Sequence, residues 1–327
     1  MRILVTGGAG FLGARLAREI LQRGQLCGQT VKELVIADLF PAPADLQADP
    51  RVKSHAGPML EQGELLASGF DGVFHLASAV SGECELDFDL GMRSNLDSTR
   101  LLLDSIRRSG KVSRFVFASS VAVFGPYADQ PMPALVTDTT LPSPQTSYGT
   151  QKLMLEYLVA DQTRKGFIDG RSARLMTVTV RPGKPNGAAS SFFSGIIREP
   201  LAGVESICPV DASVSHPVSS PGTTIRSLIA VFEASQATLG NRLALNLPGL
   251  NVTVQQMLDA LEKVGGKAVR NRVRFERDER IAGIVGNWAR GATSERANAL
   301  GLHADSSFES IIEQYIDDCK NQPGYPA

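Results

Sequence analysis

The chain is poor in the residues that usually advertise a metal site or a disulfide framework. Among 327 residues it has one tryptophan, four histidines and four cysteines, and aromatics reach only 6%. The cysteines (Cys27, Cys84, Cys208 and Cys319) are widely spaced with no C-x-x-C pair. That excludes a zinc ribbon or redox motif and reads as free thiols in a reducing compartment, so a cytoplasmic location is expected. His55, His75, His216 and His303 are equally dispersed, and no metal is expected. The formal net charge of -1 gives no basic footprint for nucleic acid and no polybasic patch for a membrane surface. No apolar run approaches the roughly 18 residues of a membrane span. Arg2-Ile3-Leu4-Val5-Thr6 already reads as a strand, so no signal peptide is expected.

What is present is ordinary globular composition, 43% hydrophobic and 20% charged, enough for one large core and a smaller second lobe. The strongest unit lies at the start. Ile3-Leu4-Val5 runs into Thr6-Gly7-Gly8-Ala9-Gly10-Phe11-Leu12-Gly13, after which Leu12, Leu16, Ile20 and Leu21 repeat at helical spacing. Gly7, Gly10 and Gly13 have the spacing of a dinucleotide fingerprint: a tight turn, close backbone approach to a pyrophosphate, and close helix–strand packing. Amides at the helix start then face the phosphates. A second strand, Leu34-Val35-Ile36-Ala37, ends at Asp38. A carboxylate there accepts from ribose hydroxyls and repels a 2′-phosphate, which points to NAD rather than NADP.

Further strands are expected at Val52–His55, Gly72–Ser78, Arg114–Ala118 and Met176–Val180, with Gly166–Gly170 as a turn. Long helices are expected over Phe88–Arg108, stopped by Gly110, and from Tyr148 to about Arg164 with Ser147 as its cap. Alternating strands and helices predict a doubly wound parallel α/β sheet of the Rossmann type. Its domain would comprise residues 1–182 and 223–247, with residues 183–222 and 248–327 forming a smaller C-terminal substrate lobe. His75 reads as a packed structural histidine.

Tyr148 and Lys152 lie on one helix face, because a turn takes about 3.6 residues. A free tyrosine has a pKa near ~10, and bringing it to neutrality needs roughly 4 kcal/mol of extra phenolate stabilisation. The Lys152 ammonium and a cationic nicotinamide ring are the kind of charges that supply it. The spacing alone is common on ordinary helices; the glycine-rich start gives it meaning.

Taken together, these residues resemble the extended short-chain dehydrogenase/reductase family, also called the NAD-dependent epimerase/dehydratase family. The resemblance covers essentially the whole chain. It implies that Gly7, Gly10, Phe11, Leu12 and Asp38 hold the adenosine half of NAD. Leu76, Ala77, Ser78 and Pro182 would flank the nicotinamide, and Tyr148 and Lys152 would also touch the cofactor. Ser120, Tyr148, Lys152 and Asn95 would be the catalytic set, with Tyr148 as base and Asn95 near a proton-relay water. Two departures stand out: Gly57-Pro58-Met59 replaces the usual acidic residue near the adenine, and Ser215–Pro221 lacks the arginine of sugar-nucleotide members.

More narrowly, Phe74–Gly82, Gly166–Arg171, Arg181–Asn186 and Ala189–Leu201 resemble a branch that oxidises the 2-hydroxyl of a four-carbon sugar acid, D-erythronate, by hydride transfer to NAD. Such a substrate needs a cation for its carboxylate, for which Arg198 is the candidate and Lys184 the second. Ser81, Ser120, Tyr148, Asn186 and Ser191 are the expected hydroxyl contacts. The alternatives are a sugar-nucleotide 4-epimerase or dehydratase, and a silent NAD-binding sensor. A homodimer through the two long helices is implied by the resemblance.

Overall fold

In the computed structural model, which describes residues 1–129, 131–183 and 188–321, seven parallel strands form the central sheet. They are β1 (Arg2–Thr6), β2 (Glu33–Asp38), β3 (Val52–Ala56), β4 (Gly72–His75), β5 (Ser113–Ser120), β6 (Ile168–Leu175) and β7 (Leu245–Asn246), in the spatial order β7-β6-β5-β4-β1-β2-β3. The order reverses at β1, next to β4, so a crevice opens beyond their carboxyl ends.

Both faces of the sheet are covered, which explains why its strands read as unbroken apolar runs. Ile3, Val5 and Ile36 point to one face and pack against helix α1 (Phe11–Arg23) and the later helix Pro221–Glu233. Leu4, Val35 and Phe117 point to the other and meet Leu102, Leu103 and Ile106 with Leu155 and Val159. The last two belong to α2 (Ser147–Arg164), the helix that carries Tyr148 and Lys152. Helix α1 ends where Gly24, at φ 66°, donates its N–H to the Ile20 carbonyl, the left-handed stop that glycine adopts without strain.

The second core gathers Phe193, Ile196 and Ile197 from α3 (Ser191–Leu201), Met257, Leu258 and Leu261 from Val254–Gly265, and Ile311 and Ile312 from Phe308–Asn321. In its small sheet Ser215–Ser219 lies between Thr177–Val178 and Leu250–Thr253.

Two local expectations change. The sixth strand of the large sheet is Ile168–Leu175, not Met176–Val180, of which only Thr177–Val178 is a strand, and in the other sheet. The expected turn at Gly166–Gly170 is confined to Gly166 and Phe167, and the strand, which lies next to edge strand β7, already includes Ile168–Gly170. It is polar because Arg171 and Arg174 are buried there against Asp169 and Glu156. The cap of α2 is Thr146 rather than Ser147, its hydroxyl accepting from the Gly149 N–H at 3.1 Å.

Candidate active site

A single cleft of about 2250 Å³ runs along the carboxyl ends of the strands and into the second lobe. It exceeds the usual ~300–1,000 Å³ of a small-molecule site, leaving room for a dinucleotide and a second ligand. Gly7, Gly10, Phe11, Leu12, Asp38, Leu76, Ala77, Ser78, Ser81, Ser120, Tyr148, Lys152 and Ser191 all line it.

At one end the backbone itself makes the cradle. Gly7 has φ 69°, and a Cβ there would lie 2.7 Å from the Ala77 nitrogen; a Cβ on Gly13 would lie 2.1 Å from the Gly7 carbonyl oxygen. No side chain fits either place, so the loop packs directly against the Ala77 backbone and the start of α1. Asp38 closes β2, and its carboxylate accepts from the Ala9 N–H at 3.0 Å and the Phe40 N–H at 3.1 Å. These bonds hold an anion beside the glycine loop, in the position that selects ribose hydroxyls over a 2′-phosphate. The residues thus fit NAD. Gly57, Pro58, Met59 and Leu60 line the same end, so this wall carries apolar contacts where an acid was the usual expectation.

Midway along the cleft, Ser120 ends β5 and its Oγ accepts from the Ala122 N–H at 3.1 Å, which fixes the hydroxyl. Tyr148 lines the cleft beside it, and the Ser120 hydroxyl favours the ionised phenol. One helical turn on, Lys152 is buried and its Nζ donates to the Ala118 carbonyl at 2.9 Å. The ammonium sits 5.5 Å from the Tyr148 ring centre and 4.8 Å from that of Phe117. Burial lowers the Lys152 ammonium to about 8 and pushes the Tyr148 phenol up to about 12. The groups that pull Tyr148 back down are the Ser120 hydroxyl and the Arg181 guanidinium. Lys152 was the expected source of that pull; in the chain alone its charge is directed onto a backbone carbonyl.

Asn95 does not reach the cleft. It lies in a π-helical stretch, Met92–Asp97, and is buried. Its Oδ1 accepts from Ser78 Oγ at 2.9 Å and from the Ala79 N–H at 2.7 Å, while Nδ2 donates to Gln151 Oε1 at 2.8 Å. Asn95 therefore ties the 78–79 loop to α2. His75 is buried at the start of the same loop. Thr99 Oγ1 donates to the Asn95 carbonyl, so it accepts from His75 Nε2, leaving Nδ1 to accept from Thr6. Burial lowers this imidazole to about 3, which keeps it neutral.

Arg198 is also displaced from its expected role. It is buried in α3, donates to the Arg181 carbonyl at 2.8 Å and pairs with Glu199 at 2.6 Å, and is not among the described residues lining the cleft. Its charge is neutralised and its position is behind the wall. Pro182 likewise is not among the lining residues, and Lys184 and Asn186 lie outside the described residues. Several lining residues had no sequence signal: Thr177 bonds His216 Nε2 at 2.7 Å, and His216 stacks on Phe193 and tilts against Trp288. Arg181 lines the cleft too; its place directly before Pro182 was the one cue to it.

The sequence pattern described as the NAD dependent epimerase/dehydratase family matches residues 3–239. A D-erythronate dehydrogenase from Cupriavidus necator is 48% identical over 97% of this chain and 98% of its own length. A second D-erythronate dehydrogenase, from Haemophilus influenzae, is 40% identical over 97% and 99% respectively. A crystal structure described as a nucleoside-diphosphate-sugar epimerase from Agrobacterium tumefaciens superposes with a TM-score of 0.91 at 42% identity, covering 97% of this chain and 94% of that one. With the glycine cradle, Asp38 and the Ser120–Tyr148–Lys152 set in one cleft, the chain belongs to the NAD dependent epimerase/dehydratase family as an NAD-dependent dehydrogenase.

Proposed function

We propose that the protein oxidises the 2-hydroxyl of a small sugar acid to a 2-keto acid, with D-erythronate as the first-choice substrate. The observation that carries this reading is the joint placement of Ser120, Tyr148 and buried Lys152 in the cleft that begins at the glycine loop. The two full-length relatives named for D-erythronate support the choice of substrate.

Ser120 and Tyr148 hydrogen-bond the substrate hydroxyl, and Tyr148 as phenolate takes its proton while the C2 carbonyl forms. NAD, when bound, accepts the hydride that leaves C2. Lys152 sits under the phenol and holds positive charge near it, which eases phenolate formation. Gly7, Gly10, Phe11, Leu12, Asp38, Leu76, Ala77 and Ser78 hold the cofactor, with Pro182 adjoining. Ser81 and Ser191 offer hydroxyl contacts along the same wall. The unpaired cysteines agree with a reducing, cytoplasmic setting.

Tyr148→Phe should lower turnover by at least about 1,000-fold while leaving the affinity for NAD within a few fold, read by NADH absorbance and by calorimetry. Retained turnover would sink the assignment of Tyr148 as base. A second reading, 4-epimerisation of a sugar nucleotide, is favoured by the size of the cleft and by the name of the Agrobacterium structure. Net NADH production from D-erythronate supports the dehydrogenase; a product epimer with no free NADH supports the epimerase.

A further inference from the structure

Arg181 is a cation of the cleft wall held by four hydrogen bonds. Its backbone N–H donates to Ser194 Oγ at 2.9 Å and its carbonyl accepts from Arg198 Nη1 at 2.8 Å. Its side-chain Nε donates to the Val178 carbonyl at 2.9 Å and Nη2 to Ser190 Oγ at 3.0 Å. Two corners of the guanidinium fork are thereby fixed, while Nη1 makes no hydrogen bond among the described residues. The side chain is largely covered yet forms part of the cleft wall, and its field reaches the Tyr148 phenol.

No carboxylate pairs with it among the described residues. Other arginines of the region are matched: Arg198 by Glu199, Arg174 by Glu156, and Arg277 by Asp211 and Glu279. Arg93 and Arg280 line the cleft without an ion pair, but both are exposed and water solvates them. A half-buried guanidinium is partly withdrawn from water and favours an anionic partner. Glu199 also lines the cleft, but Arg198 already matches its charge.

We infer that Arg181 binds the carboxylate of the substrate, with Nη1 as the donor left free for it. The assignment rests on the sugar-acid reading above. An acid whose C2 hydroxyl meets Ser120 and Tyr148 presents its C1 carboxylate one bond away, on the side of the site where the Arg181 field is felt. The fixed fork would pin the acid in one orientation, so that C2 rather than a terminal hydroxyl faces the base.

Arg181→Gln and Arg181→Lys test this with D-erythronate and with erythritol, which has comparable hydroxyls and no carboxylate. The expected result is a rise in KM for D-erythronate on the order of 100-fold in the glutamine variant, the loss of one charge-assisted contact. The lysine variant should recover part of it. Discrimination between acid and alcohol should collapse in the glutamine variant, while calorimetric affinity for NADH stays within about 3-fold, which also certifies the fold. Wild-type turnover with unchanged KM in both variants would overturn Arg181 as the anchor and leave the dehydrogenase reading intact. A weakened NADH affinity that accounts for the whole loss would move Arg181 to the cofactor and overturn the inference as well. Absence of wild-type turnover on every acid would overturn both readings together.

Discussion

Lys152 shows how a functional side chain is held at a cost to stability. Burial lowers its ammonium to about 8, against attraction from Glu156 that pulls the other way. The folded value lies below the unfolded ~10.4, so the unfolded chain binds the proton more tightly between about pH 8 and 10. Stability from this group therefore rises with pH across that window, and the penalty is fully present below about pH 8. Lys152→Met should accordingly stabilise the ligand-free protein at pH 7 by roughly 1–3 kcal/mol, allowing for the lost bond to Ala118, and should abolish turnover. The stability difference from wild type should shrink as the pH is raised from about 8 to above 10. Urea denaturation at several pH values measures it; a variant less stable than wild type at pH 7 would contradict the account. The same balance sets the task for Tyr148, whose phenol stands near 12 before any ligand enters. Oxidation at neutral pH then requires the bound nicotinamide charge in addition to Ser120, Arg181 and Lys152.

Helix α2 owes its register to a buried ion pair rather than to its own periodicity. Glu156, one turn beyond Lys152, accepts from Arg174 at 2.9 and 2.8 Å and from Ser119 Oγ at 2.5 Å. Arg174 also lies over the Phe124 ring at 4.9 Å. This knot joins α2 to β6 and to the end of β5, the strand that presents Ser120. Glu156→Ala leaves Arg174 buried without its carboxylate and should destabilise the fold by about 3–5 kcal/mol in chemical denaturation. A change below about 1 kcal/mol would refute the role. The knot also explains which parts of the fold were legible. The unit β1, glycines, α1, β2 and Asp38 is readable because local pattern and tertiary role agree: alternate residues feed two covered faces, and the glycines stand where no Cβ fits. Strand β6 hides because Asp169, Arg171, Ser172 and Arg174 interrupt the apolar pattern, and the partners of Asp169 and Arg174 include Arg114, Glu156 and Gln236, all distant in sequence. Arg198 reads from the sequence as a free cation, although it is paired. Glu199 stands next to it in the chain, but the Arg181 carbonyl that turns Arg198 away from the cleft is 17 residues off.

At the scale of the whole molecule, one face is left apolar beside the catalytic helix. Leu86 is 90% exposed, Phe88 60%, Tyr157 55% and Met154 47%. They lie on Ser81–Leu86, on Phe88–Gly91 and on α2, segments that pack against one another, so the residues flank a common surface. Large apolar side chains clustered this way mark an association site rather than ordinary surface. We propose that a second copy of the chain covers it, pairing the Phe88–Arg108 helical stretch and α2 with their counterparts about a two-fold axis, since a self-complementary patch closes at two subunits. A stable interface needs roughly 800 Å² from each partner, which two long helices can provide. Light scattering should then give twice the 34.9 kDa chain mass at micromolar concentration. Leu86→Glu with Met154→Glu should return it to the mass of one chain, because two carboxylates per subunit would be desolvated without partners. A wild-type monomer under those conditions would rule the dimer out. The Ser147 backbone N–H at the head of α2 donates to Glu85, next to Leu86 on the same patch, at 2.6 Å, so separation of the subunits should loosen the start of the catalytic helix. The double variant should therefore lose turnover more than it loses NAD affinity, a split that binding and rate measurements on the same preparation can read.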